Sequence, residues 1–110
     1  MILDFDKLEK TTLQNFKNGD GAVTAAMHVD NAGKIMLTRI HPNSSIGVHT
    51  HDTNYEVCYI LSGVGKAVYE GTEEPLHAGI CHYCPKGKTH TLINTGSEDL
   101  VLFAVVPETK

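Results

Sequence analysis

Two histidines separated by one residue, His49 and His51, are followed closely by Glu56, and this spacing restricts the local backbone more than any other feature. In a β-strand side chains repeat every two residues, so both imidazoles lie on one face, about 7 Å apart along the chain. A helix would need the spacing of the His-Glu-x-x-His pattern, which this sequence lacks. The spacing therefore predicts a strand that presents two imidazoles to the same side.

Short apolar segments alternate with turn residues over most of the chain. The predicted strands are 22–29, 34–41, 48–51, 55–61, 64–70, 79–84, 90–94 and 100–106. Gly71 to Pro75 is interpreted as a turn, and residues 1–20 as mostly irregular, with one helical turn near Phe5 to Glu9. In all, about eight to ten strands at intervals of roughly 8–12 residues predict an all-β sandwich or barrel with little helix.

Composition narrows the classes of function. A chain of 110 residues with 41% hydrophobic residues fits one domain, 1–110. The net charge is −4, Arg39 is the one arginine and the lysines are scattered, so we expect no nucleic-acid binding. No apolar run approaches about 18 residues, and the first residues do not resemble a signal peptide. With three cysteines, an odd number, these features predict a cytoplasmic protein without a membrane span.

A third imidazole is available much further along the chain. If the chain bends at 52–54, Glu56 folds back beside the histidine pair, and His90 arrives on a neighbouring strand. Three imidazoles and one carboxylate suit a divalent transition metal (Fe, Mn, Zn, Ni, Co or Cu) better than Ca or Mg. Such a set leaves about two positions of an octahedral ion open, which permits ligand exchange.

The histidine pair lies within a longer motif that resembles the first motif of the cupin superfamily. That motif is Gly, five residues, His-x-His, three or four residues, Glu, six residues, Gly, and it spans about 43–63 here. Asn43 replaces the first glycine, and Asn is among the residues that best tolerate a positive φ. The other motif residues stand at the expected intervals: His49, His51, Glu56 and Gly63.

The second cupin motif is complete and lies at about 79–94. Its pattern is Gly, five residues, Pro-x-Gly, two residues, His, three residues, Asn, matched here by Gly79, Pro85, Gly87, His90 and Asn94. The resemblance, to small single-domain cupins, implies a jelly-roll β-barrel. It also implies that the metal ligands are His49, His51, Glu56 and His90.

Several residues near the two motifs could belong to another site or take part in catalysis. Cys81 and Cys84 form a Cys-x-x-Cys, which could serve a zinc site or a redox pair. On a strand the two thiols point to opposite faces, so we favour buried free thiols for both, and for Cys58. His82 and Tyr83 also point to opposite faces, and the one facing inward is a candidate catalytic residue.

Arg39 is the third candidate catalytic residue, because a guanidinium can clamp a substrate carboxylate, although a salt bridge on the outer face is its more ordinary use. The function we expect is that of a small metalloenzyme of oxidoreductase, decarboxylase or isomerase type acting on a compact oxygenated or carboxylated metabolite. The alternatives are a non-catalytic protein that binds metal and a small ligand, as a sensor or accessory module, and a metal-assisted structural protein.

We also expect a homodimer, because a small barrel has edge strands to cover and a thin core. The strands at 22–29 or 34–41 are the expected shared surface.

Overall fold

The computed structural model describes residues 1–109, and these contain ten β-strands and one turn of 3₁₀ helix at Phe16–Asn18. The strands are β1 (Lys10–Gln14), β2 (Ala22–Asp30), β3 (Gly33–Ile40), β4 (Ser45–Thr50), β5 (Glu56–Ser62), β6 (Val64–Tyr69), β7 (Thr72–His77), β8 (Cys81–Cys84), β9 (Thr89–Asn94) and β10 (Leu100–Pro107).

The strands form two antiparallel sheets. The six-stranded sheet has the order β1-β2-β3-β10-β5-β8, and the four-stranded sheet has the order β4-β9-β6-β7. Inward-facing side chains of both sheets form one apolar core, which includes Ile40, Ile60, Leu92 and Leu102. The all-β jelly-roll prediction is confirmed, and strand alternation explains it, because each strand places every second side chain in the core.

Two strands were not predicted from the sequence. The segment interpreted as a turn through Pro75 contains strand β7, and the irregular start of the chain contains β1. Strand β7 lies at the edge of its sheet, where proline is tolerated because its missing N–H leaves no ladder bond broken. The expected helical turn near Phe5 is a hydrogen-bonded turn in which Asp4 accepts from the backbone of Lys7 and Leu8.

Asn43 adopts the backbone conformation expected of the glycine it replaces. Its φ is +61°, in the left-handed region that asparagine tolerates better than most residues. The turn that follows leads directly into β4 and therefore into His49. This departure from the motif is thus compatible with the turn.

Strands β2 and β3, the expected shared surface of a dimer, lie inside the six-stranded sheet. Strand β2 is covered along one edge by β1, and β3 pairs with β2 and β10. They offer a second molecule a sheet face and, on β2 beyond the residues paired with β1, a short strand edge at 27–30.

Within residues 1–109, no helix has the length and apolar character needed to cross a membrane.

Candidate metal centre

The four residues of the two motifs meet at one end of the barrel. His49 lies on β4 directly opposite His90 on β9, so the sheet ladder brings these two imidazoles together. His51 follows the end of β4, and Glu56 begins β5 in the other sheet. The backbones of His51 and the turn before His90 are joined, since His51 donates to Lys88 O and accepts from Gly87 N.

The donor atoms of these residues converge on one point. One ligand atom from each of the four lies within 4.8 Å of the others. The Nε2 atom of His90 is 3.0 Å from that of His51 and 3.1 Å from that of His49. Glu56 Oε1 lies 3.1 Å from both His51 Nε2 and His90 Nε2. The side chains are buried or half-buried, so little water competes for these atoms.

The outward-facing nitrogens of His49 and His51 are each held by a hydrogen-bond acceptor. His49 Nδ1 donates to Gly47 O at 2.7 Å, and His51 Nδ1 donates to Asn54 Oδ1. The Asn54 amide is itself oriented, because its Nδ2 donates to Glu108 Oε1 at 3.0 Å. A neutral imidazole carries one N–H, so both Nε2 atoms are left as lone-pair acceptors facing the centre.

His90 is oriented by a chain of two further side chains. His82 Nδ1 donates to Glu74 Oε1 at 3.0 Å, because an ionised carboxylate only accepts. His82 Nε2 then accepts from His90 Nδ1, at 2.9 Å, and His90 Nε2 also keeps its lone pair. Hydrogen bonds of this kind fix the tautomer and direction of a metal-ligating histidine.

These assignments leave the centre with acceptors only. Three imidazole lone pairs and one carboxylate oxygen face each other with no donor between them, four of the six pairs at 3.0–3.1 Å and all within 4.8 Å. Such a cluster repels itself unless a cation occupies it, and this donor chemistry fits a first-row divalent ion. The residues present therefore fit a metal centre.

The pKa directions describe the metal-free centre, where a proton on His51 relieves the repulsion that a cation would otherwise relieve. Burial lowers the pKa of His49 to about 4, so its imidazole is neutral at neutral pH. The hydrogen bond to Glu56 raises the pKa of His51, which makes His51 the site of the stabilising proton when no metal is bound. Burial opposes ionisation of Glu56, but the bonds to His51 and His90 outweigh it and hold its pKa far below the usual range.

A cavity of about 310 Å³ opens beside the centre, and His49, His51 and Glu56 form part of its wall. Most of the remaining wall is apolar: Leu13, Phe16, Val23, Ala25, Met27, Met36, Ile46, Leu102 and Val106. Two lysines, Lys17 and Lys34, also line it. The cavity is large enough for a small organic anion next to the four donor atoms.

The candidate catalytic residues lie in different places. His82 faces inward and is 3% exposed, but it contacts His90 from behind and does not line the cavity. Tyr83 points outward, is 54% exposed and packs edge-on to Tyr55. Arg39 is exposed on the outer face, 3.8 Å from Asp99. Strand alternation places Tyr83 and Arg39 away from the cavity, so the structure does not support substrate contact by either one.

The three cysteines are free thiols. Cys58 and Cys84 are buried, as expected, and burial raises the pKa of both, that of Cys84 to about 11. Cys81 is exposed on the outer face, so its predicted burial is wrong. Because Cys81 and Cys84 point to opposite faces of β8, the geometry excludes joint ligation of one ion.

Several residues of the site region were not identified from the sequence. Asn54 and Glu74 orient histidines, while Lys17 and Thr38 line the cavity. Asn54 lies between His51 and Glu56 within the first motif, so its position in the sequence could have indicated that it contacts a ligand residue. Glu74 is on the unpredicted strand β7, so no sequence pattern placed it near His82.

Comparison with known proteins agrees with the motifs. The cupin domain model matches residues 36–106. The oxalate-binding protein of Thermotoga maritima is 30% identical over 96% of this chain and 93% of its own length. A solved structure of a predicted oxalate decarboxylase from the same organism has a TM-score of 0.92 and 28% identity, covering 98% of this chain and 99% of that one.

A more distant structure shows the fold alone. The cupin domain of Cnp3 from Schizosaccharomyces pombe is 14% identical, with a TM-score of 0.75 over 89% of this chain and 68% of its own. The family match spans both metal-site motifs and most of the barrel strands. This chain therefore belongs to the cupin domain family.

Proposed function

We propose that this protein holds a divalent transition metal and uses it to bind a small carboxylate, of which oxalate is the first to test. The observation that carries the proposal is the set of four converging acceptor atoms, three of which belong to residues that line a cavity. When bound, a divalent ion supplies Lewis-acid charge and, beyond its four protein ligands, about two further positions for ligand oxygens.

The residues of this chain supply the remaining requirements. Gly47, Asn54 and His82 hold the three imidazoles in the tautomer that offers Nε2 to the ion. Glu56 is ionised and neutralises part of the charge of the ion. Apart from Glu56, the cavity wall holds two lysines, Lys17 and Lys34, and one further carboxylate, Asp52, and this excess of positive charge favours entry of an anion.

The relative named for oxalate binding supports this ligand class, because it is similar to this chain over nearly the whole length of both. A second candidate is turnover, in which oxalate and a proton give carbon dioxide and formate. The solved structure described as a predicted oxalate decarboxylase favours testing it. The experiment below separates the two, because it follows both binding and product formation.

The test is calorimetric titration of oxalate into Mn²⁺-loaded and chelator-treated protein, followed by assay of the same samples for formate. We expect binding only to the loaded protein and loss of binding in His49→Ala. His77→Ala is the matched control, because His77 is an exposed histidine outside the centre, and it should bind as the wild type does. Equal binding with and without metal would overturn the proposal. Formate production would establish the second candidate.

Homodimer formation and a reducing cytoplasm remain proposals that follow from the sequence. The three free thiols support a reducing compartment. A purely monomeric mass by light scattering at micromolar concentration would refute the dimer.

A further inference from the structure

Two methionines inside the barrel keep apolar surface that the protein does not cover. Met27 on β2 pairs with Met36 on β3, and both line the cavity and are half-buried. Both side chains point inward, because Val23 and Ile40, an even number of residues away on the same strands, belong to the buried core. The surface that the two methionines leave uncovered therefore faces the cavity, where a ligand can contact it.

Leu13 and Phe16 enlarge this apolar surface. Both line the cavity and are half-buried. Leu13, on β1, pairs with Val23 and so faces the same side of the sheet as the methionines. We call these four side chains the apolar patch: Leu13, Phe16, Met27 and Met36. Water against such a patch is unfavourable, and methionine adapts its shape to the ligand that replaces the water.

The apolar patch begins close to the metal centre. The pairing of β5 with β10, continued by one residue, places Glu56 level with Val106, and Val106 pairs with Lys34 on β3. Met36 lies two residues beyond Lys34, which is about 7 Å along the strand at ~3.3 Å per residue. A two-carbon acid bound at the centre therefore covers little of the apolar patch, whereas a longer acid can lie along it.

The charged side chains of the cavity lie near the centre. Asp52 directly follows His51, Lys34 lies level with Glu56, and the charge of Lys17 acts on His51. Within residues 1–109, the lining side chains of β1, β2 and β10 are all uncharged, and Lys34 is the one charged lining residue of β3. A second ionised group on a ligand that lies along these strands would lack a partner, which costs free energy. The ligand should therefore be charged only at the end that binds the ion.

We propose that the cavity selects monocarboxylic acids with a hydrophobic body. The carboxylate and an adjacent keto or hydroxyl oxygen would bind at the centre, and the body would lie against the apolar patch. The inference rests on the proposed metal-dependent binding of a carboxylate and names the class of acid that this site prefers. Oxalate has suitable oxygens but no body to cover the apolar patch, so an acid that adds such a body gains affinity from it.

The test is calorimetric titration of Mn²⁺-loaded protein with oxalate and with straight-chain α-keto acids from pyruvate to α-ketohexanoate. We expect the affinity of the keto acids to rise by up to about fourfold for each added methylene, the change typical of taking one methylene out of water. α-Ketoglutarate should bind more weakly than α-ketopentanoate, which has a chain of the same length and no second carboxylate. Chelator-treated protein controls for dependence on the ion.

A substitution in the apolar patch identifies where the body lies. Met36→Gln makes the patch more polar at nearly constant side-chain length, and we expect it to weaken α-ketohexanoate binding by about five- to tenfold. Pyruvate affinity should change by less than about twofold. Leu37→Gln is the matched control, because Leu37 is the next residue on β3, faces outward and does not line the cavity, so both affinities should stay within about twofold of the wild type. Met27→Gln tests the same patch from β2, and melting temperatures show which variants are folded.

The outcomes separate this inference from the proposed function. If oxalate binding depends on the metal but keto-acid affinity does not rise with chain length, the inference is wrong and the proposed function stands. The same conclusion follows if Met36→Gln and Met27→Gln change pyruvate and α-ketohexanoate binding alike, or if α-ketoglutarate binds as tightly as α-ketopentanoate. If neither oxalate nor any keto acid binds the loaded protein, the proposed function itself fails.

Discussion

The direction of each lone pair at the centre depends on groups that do not touch the metal position. His90 illustrates this, because its Nε2 is free to face the centre only while His82 accepts from its Nδ1. His82 can accept only while its own proton is directed at Glu74. Burial lowers the pKa of His82, which favours the neutral form that this chain of bonds requires. Glu74, His82 and His90, on β7, β8 and β9, thus form one chain of hydrogen bonds that orients the His90 imidazole.

Removal of the Glu74 carboxylate tests whether these hydrogen bonds orient His90. In Glu74→Ala, His82 loses the acceptor that fixes its tautomer, and its Nε2 can then carry the proton and clash with the N–H of His90. We expect Zn²⁺ affinity to fall by about 10- to 100-fold, as is typical for partners of metal-ligating histidines. Titration of Zn²⁺ in competition with a chromogenic chelator measures the change.

Glu73 provides the matched control for this prediction. It is the adjacent carboxylate on β7, is mostly exposed and pairs with Lys66 on the outside of the barrel. Glu73→Ala should therefore leave Zn²⁺ affinity unchanged. If Glu74→Ala and Glu73→Ala behave alike, the bond between Glu74 and His82 does not orient His90.

Among the strands, Asn94, the last residue of the second motif, connects the two sheets of the barrel. Asn94, on β9, is buried, and its Nδ2 donates to Ile40 O at the end of β3 and to Glu98 O, both at 2.8 Å. Its Oδ1 accepts from Gly96 N. One amide thereby joins the four-stranded sheet to the six-stranded sheet and shapes the loop before β10.

Asn94→Ala should therefore destabilise the protein without removing any donor of the centre. Buried backbone groups lose their partners, and we expect a loss of about 2–3 kcal/mol in the free energy of unfolding, or on the order of 10 °C in melting temperature. Urea unfolding followed by circular dichroism measures it. Thr95→Ala, an exposed neighbour, should stay within about 0.5 kcal/mol of the wild type. A similarly small effect for Asn94→Ala would show that these bonds are replaced by water.

The strands also show how far the sequence could predict this site. The two-residue spacing of His49 and His51 and the motif around His90 were sufficient to predict which side chains converge. Two things could not be predicted. Strand β7, and therefore the position of Glu74, was not predicted because the strand contains Pro75. A proline usually argues against a strand, and the edge position that permits it here is a tertiary property.

The second feature that the sequence could not predict is which side chains of β8 face the core. His82 and Tyr83 alternate, and nothing local decides which of them faces the core. Pairing with β5 decides it, because Cys58 and His82 lie opposite each other on the buried face.

At the scale of the whole molecule, the centre connects the two sheets. His49 and His90 belong to the four-stranded sheet, whereas Glu56 begins a strand of the six-stranded sheet. A bound ion would therefore fasten the two layers at the open end of the barrel, where the cavity interrupts the apolar core. Since the ion binds only the folded state, it should stabilise that state in proportion to the logarithm of its free concentration.

This stabilisation should depend on pH, and the proton on His51 determines whether it rises or falls as the pH rises. The raised pKa of His51 means that the metal-free protein gains stability from the proton below its ordinary value of 6.5 and loses that gain as the pH rises through the raised value. The metal must displace the same proton, so its affinity falls about tenfold per pH unit below the raised pKa. His49 adds a second proton only near pH 4. Both effects make the metal-induced rise in melting temperature largest above neutral pH.

Differential scanning fluorimetry with excess Zn²⁺ or with chelator, from about pH 8 down to about pH 5, measures this difference. With free metal near a thousand times the dissociation constant at high pH, the ion should add about 4 kcal/mol, and each tenfold loss of affinity should remove about 1.4 kcal/mol. His28→Ala, which changes a histidine paired with Asp30 away from the centre, should leave the profile unchanged. A metal-induced shift that is constant across this range would mean that binding displaces no proton from His51, and the proton assigned to His51 in the metal-free centre would then be wrong.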